Sequence, residues 1–515
     1  MKWLTRITYL YLTIPFMIFC MGWFRLPIAI PIVLFIGWVV WRLFLSEENT
    51  RGIESISIRS LIYVLLVTGL WVFLSGVGGY AFQNWDHNWR NAVMRDLVTH
   101  TWPVIYSSPE HGPITMLVYY VGYWLPAALA GRLFGWNVAN FVLFLWTWLG
   151  VVLIVLQINL KLKISPIKAV LLLIFFSGMD ALGALLSPSD YPTLWPPIQH
   201  LEVWAGSLQY SSFTTQLFWV FNQAVPAWLC IVLILELSTL ESDSELSENQ
   251  KQASGLQMTI IQKTFIWALC FFFAPLASIG LLIYLGIDWL EQIRDIIKNR
   301  FKGIRFELIA ASLVIVLVSY LFFSANAAAH ERGLQSLAFK DVFVFFLIEG
   351  GILWLLLAPR LWRNLRWVVT GILLFIMPFI QLGNSNDFVM RASVAPLFYL
   401  MLWSGEAIFQ KHSTTFYRTA IIIILIIGAL TPLYEINRSV YRTFQYYFLL
   451  DESQRVRPNT EPATQLEKGG APEAEHPNAI LADDVYSLAL IQDKLAKNFI
   501  ANVRQSLYYR YISAR

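Results

Sequence analysis

Acids and guanidinium groups crowd most closely between Asn84 and Tyr106, NWDHNWRNAVMRDLVTHTWPVIY, in a chain that is otherwise strongly apolar. Asp86, His87, Arg90, Arg95, Asp96 and His100 stand there among Trp85, Trp89 and Trp102, and Glu110 and His111 follow. Removing a proton from a hydroxyl calls for a carboxylate within hydrogen-bond reach, and Asp86 is the acid placed for it. Stabilising a phosphate leaving group calls for cations, which Arg90, Arg95 and the later Arg391 supply, with His87 beside them. Composition alone favours a plainer reading: a loop at the bilayer surface, its tryptophans at headgroup depth and its charges solvated.

Further candidates lie downstream. The Pro- and Trp-rich stretch 188–214 carries Asp190, His200 and Glu202 beside Trp195 and Trp204, aromatic surfaces of the kind that stack on sugar rings; alone, it also reads as a rigid interfacial loop. Asp180 and Glu349 sit inside apolar runs, where an ionisable group is expensive and marks a functional site by default. For Asp180 a helix-end position near Gly183 competes with that reading, and for Glu349 a packing kink at Gly350 and Gly351 does. In GNSNDFVMRAS, Asp387 and Arg391 are four apart and can pair on one helix face; Arg391 can equally grip a phosphate. Asn384 and Asn386 suit a turn.

What must position these groups is a membrane body. Of 515 residues, 57% are hydrophobic and 14% charged, against roughly 25% charged in soluble domains. Mean hydropathy is +0.57. Apolar segments recur at 8–24, 27–44, 60–80, 115–134, 137–158, 167–187, 215–236, 263–289, 306–323, 341–359, 367–382, 389–405 and 418–434. They are continuous rather than alternating, so they predict transmembrane helices and not a barrel. The expected fold class is all-α, a polytopic bundle of about 11–13 helices. A net charge of +4 gives no basis for a nucleic-acid partner. Cys20, Cys230 and Cys270 lie in apolar runs without paired spacing, so neither a disulfide framework nor a metal site is expected. Residues 1–24 begin like a signal peptide, but bulky Met21, Trp23 and Phe24 predict an uncleaved first helix.

Basic residues cluster in 43–59, 159–168, 290–305, 360–366 and 406–418, which places those loops in the cytoplasm. They all stay inside if 115–134, interrupted by Pro126 and Arg132, and 263–289, broken at Ala274-Pro275, do not fully cross. His87, His100, His111, His200 and His330 then share the outer side. The organisation expected is a membrane domain over 1–436 with its first large outer loop at 81–114. An outer linker follows over 437–479, then a tail over 480–515 whose helical spacing at 480–509 predicts an amphipathic helix.

No HExxH, GxSxG or Walker sequence is present, which removes the zinc-protease, serine-hydrolase and NTPase readings. The order WDHNWRNAVMRDL, TWPVIYSSPEHGP, LPAALAGRLFGW resembles the GT-C superfamily of integral membrane glycosyltransferases. That resemblance implies a polyprenyl-phosphate-linked sugar donor and a glycan, lipid or protein acceptor in the cell envelope. It implies Asp86 as the catalytic acid position and places Asp180 near a second acidic one. On this reading Asp96, His200, Glu202 and Asp387 join Trp195 and Trp204 in holding substrate, while His87, Arg90, Arg95 and Arg391 meet the lipid phosphate. His87 follows Asp86 where members often carry a second acid, and no DxD pair is present, which leaves a divalent cation open as a cofactor. The expected location is a cytoplasmic (inner) membrane, active site outward. The alternatives are a transporter or flippase of a lipid-linked solute, with Asp180 and Glu349 as coupling residues, and a non-catalytic glycan-assembly protein.

Overall fold

The computed structural model describes residues 2–46, 57–106, 115–186, 197, 200–235, 259–298, 305–326, 332–382, 387–409, 414–449 and 498–514. The chain is an all-α polytopic membrane bundle, and ten helices among these residues are long and apolar enough to cross a bilayer. The α-helices of the described residues, short ones included, are in chain order α1 (Lys2–Trp23), α2 (Leu26–Ser46), α3 (Ile58–Leu74), α4 (Asp86–Thr99), α5 (Leu125–Phe134), α6 (Trp136–Leu162) and α7 (Pro166–Phe175). Then come α8 (Asp180–Leu186), α9 (Phe213–Ile234), α10 (Ile260–Phe273), α11 (Pro275–Lys298), α12 (Phe306–Phe323) and α13 (Phe339–Phe346). The rest are α14 (Ile352–Leu361), α15 (Leu365–Ile376), α16 (Asp387–Ala392), α17 (Val394–Phe409), α18 (Thr415–Gly428), α19 (Leu430–Phe444) and α20 (Leu507–Tyr511). Several hydroxyls inside these helices bond back to their own backbone, as Thr8 does to Leu4, Thr68 to Val64 and Ser312 to Leu308, which satisfies them without water.

Two segments fold back on themselves. Lys263 Nζ reaches Asp288 at 2.5 Å, Trp289 Nε1 donates to Thr264 at 3.0 Å, and Trp267 Nε1 to Ser278 O at 2.9 Å. These contacts make α10 and α11 an antiparallel hairpin whose tip is Ala274-Pro275. At 1.5 Å per residue, α10 rises only about 21 Å, short of a hydrocarbon core of about 30 Å. A Thr259–Gln262 capping box starts the hairpin. The other fold-back is 115–134. It descends until Tyr123 donates to Thr147 midway along α6 at 2.8 Å and Gly122 packs on Phe272, then returns through α5.

Two faces result. One carries the start of α1, held by Arg6 to Phe44 O, and the ends of the hairpin, where Arg366 meets Asp288 and Glu291. The opposite face, here the site face, holds α4 and two small antiparallel sheets absent from the sequence expectation. Strands β1 (Ile105–Tyr106), β2 (Thr115–Leu117) and β5 (Ile500–Asn502) form one in the order β1-β2-β5. Strands β3 (Arg332–Leu334) and β4 (Ile380–Leu382) form the other.

The C-terminal part differs from expectation. Helix α19 runs on to Phe444 and continues as a π-helical turn, Gln445–Leu449, so the chain is still helical where a linker from 437 was expected. Of the expected 480–509 helix, residues 480–497 lie outside the described residues. The described part forms β5, a 3-10 turn and the short α20, because its backbone finds β2's free edge. Its end is bound to the α1–α2 corner: Tyr508 Oη donates to Trp23 O at 2.5 Å and Ala514 N to Trp23 O at 2.7 Å.

Candidate functional site

Helix α4 is docked onto a bend in α9. Val220 leaves helical geometry (φ −141°, ψ 37°), and the neighbouring carbonyls of Phe218 and Trp219 accept bonds from outside the helix. Asn84 Nδ2 donates to Phe218 O at 2.7 Å, His87 Nε2 at 2.9 Å, and Arg90 Nε to Trp219 O at 2.6 Å. The preceding loop is locked too: Gln83 Nε2 reaches Gly76 O at 2.8 Å, and Gly76 takes φ +80°, a conformation that favours glycine. Asp86 thus opens α4 at a fixed point, with Arg90 one turn on and in contact with it at 2.6 Å.

Beside this pair lies a largely apolar cavity of about 640 Å³. Asp86, Arg90, Trp85 and Trp89 contribute from α4 and its approach, Phe271, Pro275 and Ile279 from the hairpin tip, and Tyr320 and Phe323 from α12. Asp387 and Arg391, from the opening turns of α16, add a second charged pair to the lining and lie 3.8 Å apart. Trp219, Gln209 and Gln216 add polar atoms, and Asn498 and Phe499 come from the C-terminal segment. Phe499 stacks on Trp89 with ring centres 5.4 Å apart, and Asn326 Nδ2 donates to Asn498 O at 2.8 Å.

His200 also lines the cavity, between two carboxylates. Its Nδ1 meets Glu435 at 2.6 Å, and its Nε2 lies 3.6 Å from Glu202. Burial by itself lowers the histidine pKa, but Glu435 and Glu202 outweigh it and raise it to about 10, so the ring is charged. Glu435 is shared with Arg438 at 3.1 Å, and the Arg438 guanidinium lies over both Phe82 and Trp219.

The structure therefore brings Asp86, Arg90, His200, Asp387 and Arg391 to one cavity. Other expected site residues are placed elsewhere. His87 is buried under α9, where desolvation above all depresses its pKa to about 3; a neutral ring there cannot help neutralise a phosphate. Arg95 lies over the Trp136 ring, outside the lining. Asp96 is fully buried and accepts from Tyr106 Oη at 2.6 Å, tying α4 to β1. Glu202 accepts from Ser212 N at 2.9 Å and Thr215 Oγ1 at 2.6 Å, holding the start of α9. Asp180 and Trp204 are absent from the cavity lining; Trp204 Nε1 donates to Glu349 at 2.8 Å. Trp195, like Asp190, Glu110, His111, His330, Asn384 and Asn386, lies outside the described residues.

Sequence reasoning missed Glu435 and Arg438. Their signal was present: Glu435, Arg438 and Arg442 recur at spacings of three and four, a polar stripe on the helix that follows the 418–434 apolar run. Asn498 and Phe499 carried no such signal. Among the described residues no three His, Cys, Asp or Glu side chains converge as a metal cage; Asp86 and Asp387 are the carboxylates on the cavity wall. No protein-family model, curated protein or solved structure matches the chain.

Proposed function

We propose that this protein is a GT-C-type membrane glycosyltransferase, moving a sugar from a polyprenyl-phosphate donor to a hydroxyl of a cell-envelope glycan, lipid or protein. The observation that carries the reading is one largely apolar cavity whose wall holds a carboxylate, Asp86, paired with Arg90, and a second arginine, Arg391. Its size falls within the roughly 300–1,000 Å³ usual for ligand sites. Its mixture of apolar surface and guanidinium groups suits a phosphate on a lipid chain.

In this reading the donor phosphate draws Arg90 and Arg391 toward itself. Asp86 Oδ2, now held by Arg90, is freed to accept the proton of the acceptor hydroxyl. The acceptor oxygen bonds to the sugar's anomeric carbon as the bond from that carbon to the phosphate oxygen breaks on the opposite face, so configuration inverts. The lipid phosphate leaves with its charge compensated by the arginines. Protonated His200 and the polar Gln209 and Gln216 stand where sugar hydroxyls would be held. The site face is then the outer face of a cytoplasmic membrane, with the basic loops inside.

Two fold-back segments meeting at one cavity also suit a transporter, which would move a solute without making a bond. The experiment is product formation by the full chain in proteoliposomes holding a polyprenyl-phosphate sugar pool and cell-envelope acceptors, with no gradient. A new glycosidic product is expected, reduced about 10²–10⁴-fold in Asp86→Asn, the usual range for losing a general base. A folded Asp86→Asn protein of undiminished turnover, or solute flux with no product, removes the transferase reading.

A further inference from the structure

Away from the cavity, the chain breaks helical geometry at two places that touch. Between α7 and α8 the residues Phe176–Met179 are non-helical, and between α13 and α14 the turn Leu347–Gly351 is π-helical. Met179 N donates to Ile348 O at 3.2 Å, joining the two breaks. Gly178 permits this approach, since any Cβ there would collide with the backbone and carboxyl of Glu349. Such interruptions within membrane helices recur at functional sites.

Each break delivers one acid. Asp180 is 1% exposed and Glu349 3%. Asp180 Oδ2 accepts from Ser177 Oγ at 3.1 Å and from Thr431 Oγ1 at 2.9 Å, and Glu349 Oε1 accepts from the Trp204 indole. Glu349 Oε2 is buried and has no donor, and the Glu349 carboxyl lies against that of Asp180. Neither acid has an ion-pair partner among the described residues. The other groups facing them are the acid Glu202 and the phenol Tyr210. On the packed helices α19 and α15, Arg438 pairs with Glu435, Arg442 lies over the Phe82 ring, and Arg366 pairs with Asp288 and Glu291.

We propose that Asp180 and Glu349 form a proton-binding site in which the two carboxyl groups share one proton. Two ionised carboxylates facing each other away from water, with no cation to compensate them, are strongly unfavourable. The proton is the donor that Glu349 Oε2 otherwise lacks. The site is coupled to the cavity through Trp204, which bonds Glu349, seats on Gly183 and follows the turn Leu201–Val203 next to His200. Losing the proton drives Glu349 from Asp180, breaks the Trp204 bond and loosens the wall that carries His200. This site does not depend on what the cavity binds.

Infrared spectroscopy of the full chain in nanodiscs tests it. The wild type is expected to show a protonated-carboxyl C=O band at neutral pH. That band disappears in Glu349→Gln and also in Asp180→Asn, because either amide supplies a donor and removes the like charge, leaving the remaining acid ionised. Each variant is near-isosteric, and if one fails to fold the other still decides. No such band in the wild type, a band unchanged in a folded variant, or loss in only one of two folded variants overturns a shared proton. A shift that depends on sodium or lithium instead assigns the pair to an alkali cation and overturns it equally.

Discussion

His200 and His87 are about a hundred positions apart, contribute to the same end of the molecule, and behave oppositely. His200 is drawn between Glu435 and Glu202, so its folded pKa of about 10 lies above the ordinary 6.5. Its contribution to stability is complete below pH 6.5 and is lost as pH rises toward 10. His87 is buried with backbone groups and, among the described residues, no carboxylate for partners, and desolvation holds its folded value at about 3, below 6.5. Its contribution is present above pH 6.5 and is lost as pH falls toward 3. Thermal unfolding of His200→Gln is therefore expected to trail the wild type most below pH 6.5, the gap closing toward pH 10. His87→Gln, which keeps a donor for Phe218 O, is expected to flatten the acid limb. A gap independent of pH for His200→Gln would remove the charged-histidine assignment. The same contrast explains why one histidine faces the cavity chemistry and the other only anchors α4.

The elements that matter are those that fold back. The hairpin of α10 and α11 brings Phe271, Pro275 and Ile279 into the cavity, and α11 then supports α16, which carries Asp387 and Arg391. That support is a close approach at Gly280, where a Cβ would press into the backbone carbonyl of Ala392. Gly280→Ala is expected to destabilise by about 1–3 kcal/mol, the usual cost of overpacking, and to weaken binding of polyprenyl phosphate by displacing Arg391. Gly286, on the same helix, has open space where its Cβ would be. Gly286→Ala should leave binding unchanged and hold or raise the melting temperature, since alanine favours a helix by up to about 1 kcal/mol. Equal behaviour of the two variants would show that the α11–α16 contact does not position the site.

For the whole molecule the decisive feature is which ends share a face. The fold-backs return the chain to the side it came from, so Thr259 and Lys298 are neighbours in sidedness although a 24-residue helix precedes Lys298. Thr259→Cys and Lys298→Cys are expected to react with an impermeant maleimide from one side of oriented vesicles. Exposed Leu334→Cys and Tyr511→Cys should react from the other. Native Cys20, Cys230 and Cys270 are buried and should stay silent. Labelling of Thr259 and Lys298 from opposite sides would replace the hairpin with a full crossing. The C-terminal segment closes the site face as well, running from the cavity at Asn498 to the α1–α2 corner at Ala514.

Much of this was already determined by local sequence. Continuous apolar runs require helices wherever backbone groups must be satisfied without water, so the bundle was legible. So were the break at Ala274-Pro275 and the two acid–arginine pairs, Asp86 with Arg90 and Asp387 with Arg391, because helical spacing puts such residues on one face. What local spacing cannot state is which faces meet. Only the tertiary structure joined those pairs to His200 in one cavity, sent Asp96 and Glu202 into structural bonds, and buried His87 on the bend of α9. It also set Glu349 against Asp180 and added β5 to β2. A buried polar group takes whatever partner the packing of distant segments supplies, and that choice is written in no single stretch of the chain.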